Sequence, residues 1–454
     1  MPAEDPVTAD LIRRLDATEA PLPLVQALAQ DFASGRFPDP ELALNGLRAA
    51  LAAAAETAAL AGENETLKQV AALNAAGDRA GAAVLLDGAT EEPLLSAAFR
   101  QDRICNAPER AAARQIERLK AAAPAGGVFR ASVDLLYEKL EAGEKAGDPF
   151  DMLVALELAK ALYKRAKGGE LGQAQTSLGN CHQIIGQFRP GRKHLDLAAE
   201  LFAAAAKAVA RTKQPENWAF SQHNLGGIQE LIGLRHRDGA MLKKAIKAYS
   251  AVLEVFNAQG SPVEWANSTA ARANVRAALG RMTAEAALIE TALADLEAVL
   301  EALKQDEHPA EWASARATRA LARRHLAEVT GDATPLATAI AEFEQADAVL
   351  AGLDARAERA RLQHNLGLTA LALPGGAGLD RAEQAFVAAL ALGRRDHADY
   401  RWAESLTGLG EVALLRGDTA AARAHLTEAK AVLALDPASA ALEHCAALLE
   451  QIAA

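Results

Sequence analysis

Arginine side chains recur at fixed spacing in the middle of the chain and are the residues best suited to binding chemistry. Arg272 and Arg319 are separated by 47 residues. Arg276 and Arg323 have the same separation, and each lies four residues after a member of the first pair. Residues four apart lie on one face of a helix, so the four guanidinium groups should form one patch if the 47-residue step is a structural repeat. Further arginines could extend this patch: Arg316, Arg324 and Arg361.

Guanidinium groups bind carboxylates in a planar, two-pronged geometry. In a chain with a net charge of −11, the arginine patch therefore predicts an acidic peptide ligand. The alternative is internal pairing with glutamates that lie further along the chain. The candidate internal partners are Glu297, Glu301, Glu342 and Glu344.

The spacings that organise common catalytic and metal sites are missing from this sequence. It contains no GxxxxGKS/T, HExxH, GxSxG or GxGxxG motif that would indicate a phosphate, zinc, nucleophile or dinucleotide site. The three cysteines form no CxxC pair, and the ten histidines are scattered. His223 and His364 occupy equivalent repeat positions, which indicates a shared packing role. We therefore expect no enzymatic activity, no cofactor and no metal.

Composition excludes several broad classes of protein. Of the 454 residues, 112 are alanine and only 4% are aromatic, which favours helices over a β-sandwich or barrel. The apolar share of 51% excludes intrinsic disorder, and the net charge of −11 disfavours nucleic acid as a partner. The N-terminus lacks the features of a secretory signal, and the most apolar stretch is too short and too charged to span a bilayer. We expect a soluble, cytoplasmic protein, of open oligomeric state, that binds neither nucleic acid nor a membrane.

A long internal repeat organises the chain. Trp218, Trp265 and Trp312 are spaced 47 residues apart, and such a period indicates a stacked array. Small residues stand eight positions after these marks and their counterparts, at Gly179, Gly226, Ala273, Ala320, Gly367 and Gly410. A second series of small residues is Ala198, Ala245, Ala292, Ala339, Ala382 and Ala422. Each of these is followed four positions later by a large residue, at Phe202, Tyr249, Leu296, Phe343, Phe386 and Leu426.

Each repeat is predicted to be a pair of helices. The first helix begins at a proline, as at Pro215, Pro262 and Pro309, where a missing N–H group costs nothing. It is predicted to end at a glycine in the left-handed conformation, such as Gly233, Gly280 or Gly417. The second helix carries the alanine and the large residue, and each tryptophan is predicted to pack between adjacent repeats. A single pair cannot bury its apolar face, but a stack of pairs can.

These patterns resemble the tetratricopeptide repeat (TPR) family. The last unit shows the family pattern in Leu409, Gly410, Ala422, Leu426 and Pro437. The string Trp-Ala-x4-Asn-Leu-Gly at 218–226 is similar to long bacterial TPR variants. The resemblance covers roughly 150–437 and departs from the family's usual 34-residue period. It implies an all-α fold, a right-handed superhelical solenoid of antiparallel helix pairs.

In the TPR family the first helix of each pair lines the concave groove. The resemblance therefore implies groove positions for the polar residues Asn180, His223, Asn224, Asn274, His364 and Asn365. Asparagine carries two donors and an acceptor, so it can pair with the backbone of an extended peptide. The alternative is that these residues bind helix ends or neighbouring repeats.

The domain organisation follows from where the repeat is regular. Residues 1–38 are predicted to be a loose leader, and 39–149 an irregular helical region with a degenerate repeat around 64–89. The solenoid is predicted for 150–437, followed by a C-terminal capping helix at 438–454. The predicted function is a non-enzymatic scaffold that binds a peptide or a partner domain in its groove. The alternative is a regulatory or sensor module whose groove binds a small ligand.

Overall fold

The chain is built from helices joined by short turns. The computed structural model describes residues 6–15, 20–33, 40–122, 127–188, 191–209, 211–353, 355–393, 400–434 and 439–453. These residues form 22 α-helices and a short 3-10 helix at Pro374–Gly376, and none of them lies in a β-strand. They divide into two compact units, 6–188 and 191–453. The predicted fold class, an all-α array of antiparallel helix pairs, is confirmed. Pro437, part of the repeat pattern, lies outside the described residues.

The first unit contains ten helices. They are α1 Pro6–Arg14, α2 Leu22–Ala33, α3 Pro40–Ala59, α4 Glu65–Ala75, α5 Arg79–Leu85, α6 Leu94–Ile104, α7 Pro108–Ala122, α8 Val128–Ala146, α9 Pro149–Arg165 and α10 Glu170–Phe188. The predicted leader contains α1 and α2, whose Leu11 and Leu28 are fully buried. The predicted degenerate repeat corresponds to α4 and α5, where Leu67 and Ala82 belong to one buried cluster.

The second unit contains the regular repeats. Its helices are α11 Lys193–Ala208, α12 Pro215–Arg235, α13 Gly239–Val252, α14 Pro262–Thr283, α15 Ala286–Ala302, α16 Pro309–Thr330, α17 Thr334–Leu350, α18 Arg356–Leu371, α19 Leu379–Leu392, α20 Tyr400–Leu415, α21 Thr419–Leu433 and α22 Ala440–Ala453. The first helices α12, α14 and α16 begin at prolines spaced 47 residues apart, as predicted. The helix α22 packs on α20 and α21, with Cys445 fully buried between them.

The two predicted series of second-helix residues form the core of this unit. All six alanines of the ladder are fully buried, and the six large residues that follow them are at most 2% exposed. Three of the large residues face a glycine of the preceding first helix. A Cβ atom on Gly226 would lie 2.8 Å from Cε1 of Tyr249, and one on Gly367 would lie 2.6 Å from Cε1 of Phe386. The ladder therefore exists because a small residue lets a large one lie directly against the helix backbone.

Two of the predicted helix-ending glycines have a different role. Gly233 lies inside α12 and Gly280 inside α14, both in right-handed helical conformation. A Cβ atom on Gly280 would lie 2.8 Å from the carbonyl oxygen of Glu285, so this glycine admits the start of the next helix. The prediction was wrong for these two positions because close packing, not backbone conformation, requires glycine there. Gly417, in contrast, has φ = +80° in the turn before α21, as predicted.

The tryptophans occupy equivalent settings that are only partly buried. Trp218 packs against a cluster that contains Phe256, and Trp265 packs against one that contains Leu303. Trp312 packs against a cluster with Leu350. Phe256, Leu303 and Leu350 are themselves 47 residues apart, so the contact repeats with the helix pairs. The equivalence is confirmed, although each ring keeps part of its surface exposed.

Two adjacent glycines of α12 provide a test of this packing. We expect Gly226→Ala to destabilise the chain by about 1–3 kcal/mol, because the new methyl group would overlap the buried ring of Tyr249. Gly227→Ala is the matched control, since its Cβ atom would lie 3.7 Å from the Tyr249 hydroxyl, an ordinary contact. That substitution should stabilise the helix by about 0.5–1 kcal/mol. Denaturant unfolding followed by circular dichroism measures both, and equal effects would contradict the packing described here.

Candidate functional site

A cleft runs across three first helices of the second unit. Its larger part is a cavity of 290 Å³ between α16 and α18, and its smaller part is a cavity of 140 Å³ between α14 and α16. The two cavities share the lining residues Ser314, Thr318 and Arg361, so they adjoin one another. The larger cavity has a mainly apolar lining, formed by Ala310, Ala317, Leu321, Leu350, Leu353 and Leu362. The smaller cavity is mainly polar and includes Asn267, Asn274 and Glu311.

The lining residues occupy equivalent repeat positions. Asn267, Ser314 and Arg361 are spaced 47 residues apart on α14, α16 and α18. Thr318 and Asn365 form a second set, one helical turn after Ser314 and Arg361. The repeat therefore presents the same two positions of each first helix to the cleft. The residue types differ from one helix to the next, so the cleft changes in character along its length.

Arg361 is the charged side chain that lines both cavities, whereas Glu358 lines only the larger one and Glu311 only the smaller one. Burial lowers the pKa of the Arg361 guanidinium, Arg401 adds to that effect, and Glu358 and Glu230 oppose it. Neither carboxylate forms an ion pair with Arg361, and within the described residues its side chain has no hydrogen-bond partner. The carboxylate of Glu230 is instead held by the Tyr249 hydroxyl, which donates to it at 2.7 Å.

The four arginines predicted to form a patch are paired internally. Arg272 and Arg276 donate to Oδ2 of Asp295, at 3.1 and 2.5 Å. Arg319 is 8% exposed and donates from Nε to Glu342 at 2.8 Å. It also pairs with Glu297, and Arg323 donates to Glu342 at 3.2 Å.

The four arginines therefore follow the alternative of internal pairing with carboxylates and not that of ligand binding. Asp295 is a partner that was not among the predicted glutamates. Glu342 is one of the predicted partners and is only 3% exposed. Of the three arginines that could extend the patch, Arg316 lies over the Trp312 ring and Arg324 pairs with Glu328. Of these seven arginines only Arg361 lines the cleft, and within the described residues its guanidinium has no partner.

The predicted groove asparagines divide between the cleft and other settings. Asn274 lines the smaller cavity but donates from Nδ2 to Glu230 at 2.7 Å. Asn365 lines the larger cavity, and its side chain has no hydrogen bond within the described residues. Asn224 is half-buried outside both cavities. Asn180 belongs to the first unit, where it donates to the Tyr137 hydroxyl at 2.9 Å.

His223 and His364 make equivalent contacts between successive first helices. The Nδ1 atom of His223 lies 3.0 Å from Oγ of Ser268, and that of His364 lies 3.0 Å from Oγ of Ser405. The Ser405 hydroxyl donates to the Arg401 carbonyl, so it accepts from the N–H group of His364. Burial lowers the pKa of His223, and it lowers the pKa of His364 to about 3. Both rings are therefore neutral connectors between repeats.

Other side-chain chemistry is sparse in the part of the chain that the structure describes. No group of three or more His, Cys, Asp and Glu side chains there is arranged to hold a metal ion. Burial raises the pKa of the Cys181 thiol to about 12, which keeps it protonated and unreactive. No described helix is long and apolar enough to cross a membrane.

Comparison with known proteins gives similarity to solved helical repeat structures only. No family model matches the chain, and no curated protein matches it. A chain in the crystal structure of the APC/C hetero-tetramer Cut9–Hcn1 is 16% identical, with a TM-score of 0.25 over 95% of this chain and 92% of that chain. A circular tandem repeat protein with novel repeat topology and enhanced subunit contact surfaces is 15% identical, with a TM-score of 0.22 over 90% and 96%. At TM-scores this low, neither similarity bears on what the chain does.

Removing one arginine from its internal pair should destabilise the second unit. We expect Arg319→Met to cost about 3–5 kcal/mol, because it leaves the buried Glu342 carboxylate with too few partners. The control is Arg381→Met, which breaks a pair with Glu344 whose two side chains are 41% and 46% exposed. An exposed pair of this kind contributes at most about 1 kcal/mol. Denaturant unfolding compares the two variants, and a small loss for Arg319→Met would contradict internal pairing.

The buried histidine predicts a pH dependence of stability. The folded chain holds the pKa of His364 at about 3, against an ordinary value of 6.5. Between these values the unfolded chain binds more protons, so the free energy of unfolding should fall as the pH is lowered. The contribution of one histidine is at most about 1.4 kcal/mol per pH unit.

Unfolding of the His364→Gln variant at several pH values between 6.5 and 3 should show a shallower slope than wild type. His444→Gln is the control, because Glu411 raises the pKa of His444 and its removal cannot flatten the slope. An unchanged slope for His364→Gln would show that this ring is protonated in the folded chain.

Proposed function

We propose that the chain is a non-enzymatic scaffold of TPR-like helix pairs that holds an extended segment of a partner protein in the cleft. The observation that carries this proposal is that several polar side chains of the cleft have no partner in the described part of the chain. Within the described residues, the side chains of Asn267, Ser314, Arg361 and Asn365 have no hydrogen-bond or ion-pair partner. The arginines of the neighbouring register, in contrast, are all paired. Uncommitted donors and acceptors on a half-buried surface favour a ligand that can complete their hydrogen bonds.

An extended polypeptide suits the shape and chemistry of the cleft. Asparagine amides and serine hydroxyls both donate and accept, and so does a peptide backbone. The cleft crosses three helices, and neighbouring helices lie about 8–10 Å apart, so an occupant must be long and narrow. The apolar floor of the larger cavity would accept one side chain of that segment. A net charge of −11 disfavours nucleic acid as the occupant.

Site-specific photo-crosslinking tests this proposal. A photoreactive amino acid at Ser314, where the two cavities meet, should crosslink to a defined segment of a partner protein. The same amino acid at Thr291, an exposed residue of the second helix α15, is the control. We expect one partner segment to be identified by mass spectrometry at Ser314 and to be absent at Thr291.

A blocking variant completes the test. Ser314→Trp should fill the junction of the two cavities and weaken capture of that partner at least about tenfold, a loss of about 1.4 kcal/mol. Thr291→Trp should leave capture unchanged. Capture that resists Ser314→Trp would contradict the assignment of the cleft. A co-purified small molecule that raises the melting temperature of the wild type, but not of Ser314→Trp, would instead support the sensor alternative.

A further inference from the structure

We propose that the partner segment places an internal Asp or Glu side chain on Arg361, with an apolar residue on one side and a neutral or basic polar residue on the other. This inference rests on the proposed function, because it specifies the chemistry of the segment held in the cleft. It arises from the position of one unpaired guanidinium between two cavities of different character.

Arg361 differs from the four arginines predicted to form a patch, because within the described residues its guanidinium has no hydrogen-bond or ion-pair partner. Arg272, Arg276, Arg319 and Arg323 each donate to a carboxylate at 3.2 Å or less. Burying a guanidinium without such a partner is costly, and a ligand carboxylate would remove that cost. The two carboxylates whose charges act on Arg361 do not form an ion pair with it. Glu358 is exposed on the same helix, and the Glu230 carboxylate accepts hydrogen bonds from Tyr249 and Asn274.

The position of Arg361 favours a side-chain carboxylate over a chain terminus. The larger cavity and the smaller cavity both border Arg361. A segment that ended in a carboxylate at Arg361 could fill only one of them. A segment that continues past Arg361 fills both, and its acidic residue then has neighbours in each direction.

The two cavities differ in the residues they would accept. The larger one is lined mainly by leucines and alanines, with Glu358 as its one acidic lining residue, so it fits an aliphatic side chain and not a second carboxylate. The smaller one contains Asn267, Asn274 and Glu311. Because Glu311 would repel a second carboxylate, this side favours an amide, a hydroxyl or a basic group. The cleft is therefore selective for a single acidic residue rather than for an acidic run.

Selection from a peptide library tests the inference. Random ten-residue segments are displayed between fixed flanks, so that no free carboxylate terminus is present, and are selected on the full-length chain. We expect enrichment of Asp or Glu at one position, with an aliphatic residue on one side only. Selection on Arg361→Met should lose the acidic preference, and selection on Arg381→Met, which removes a paired arginine outside the cleft, should keep it. Arg361→Glu should replace the acidic preference with a basic one.

Binding measurements with one selected peptide complete the design. Replacing its acidic residue by glutamine should weaken binding to the wild type by about 10- to 100-fold, the range for a hydrogen bond to a charged group. The same replacement should have no effect on binding to Arg361→Met, which retains its helicity and melting temperature. Amidation of the peptide C-terminus should change nothing, and affinity should fall as salt is raised.

The possible failures are distinguishable. In one outcome, Ser314→Trp abolishes binding of the selected peptides, but replacing the acidic residue of the peptide by glutamine leaves its affinity unchanged. The inference about Arg361 is then wrong and the proposed function stands. Dependence on a free C-terminal carboxylate would also overturn it. If no selected peptide is sensitive to Ser314→Trp, both the inference and the proposed function are wrong.

Discussion

The second unit depends on one repeated contact, in which a large side chain of each second helix from α13 to α21 lies against a small residue of the first helix before it. Tyr249 against Gly226, Phe386 against Gly367 and Leu426 against Gly410 are the examples with glycine. Phe386 also faces Gly408 of the following first helix, so one ring fixes three helices. Because each contact joins only neighbouring helices, stability accumulates pair by pair along the array. The cleft lies between the first helices α14, α16 and α18.

The repeat could be predicted from the sequence because its contacts need specific residue sizes. Only glycine or alanine fits opposite a buried ring, so the ladder is visible as a fixed spacing of small and large residues. The end of each first helix was harder to predict, since glycine serves both left-handed turns and close packing. Gly417 serves the first purpose and Gly280 the second, and only the position of the following helix distinguishes them.

The cleft was harder to predict because its equivalent positions hold different residues. Arg272 and Arg319 were predicted to bind a ligand because both equivalent positions hold arginine. An ion pair repeated within the array, however, also requires the same residue type at equivalent positions. Asn267, Ser314 and Arg361 share a position but not a chemistry, so no periodic signal marks them. In a repeat chain, identity at equivalent positions follows from packing, whereas a binding surface must vary along its length to be selective.

The cleft also links binding to the stacking of the repeats. Asn267, Ser314 and Arg361 come from three different helix pairs, so the cleft exists only while those pairs are stacked. A segment that contacts all three binds the stacked array and not the separated pairs. Its binding energy therefore adds to the stability of the array by mass action. The neutral histidine contacts act in the same direction, because they join α14 to α12 and α18 to α20, the first helices next to those that form the cleft. A segment bound in the cleft as proposed would thus couple recognition and folding of this unit through the same first helices.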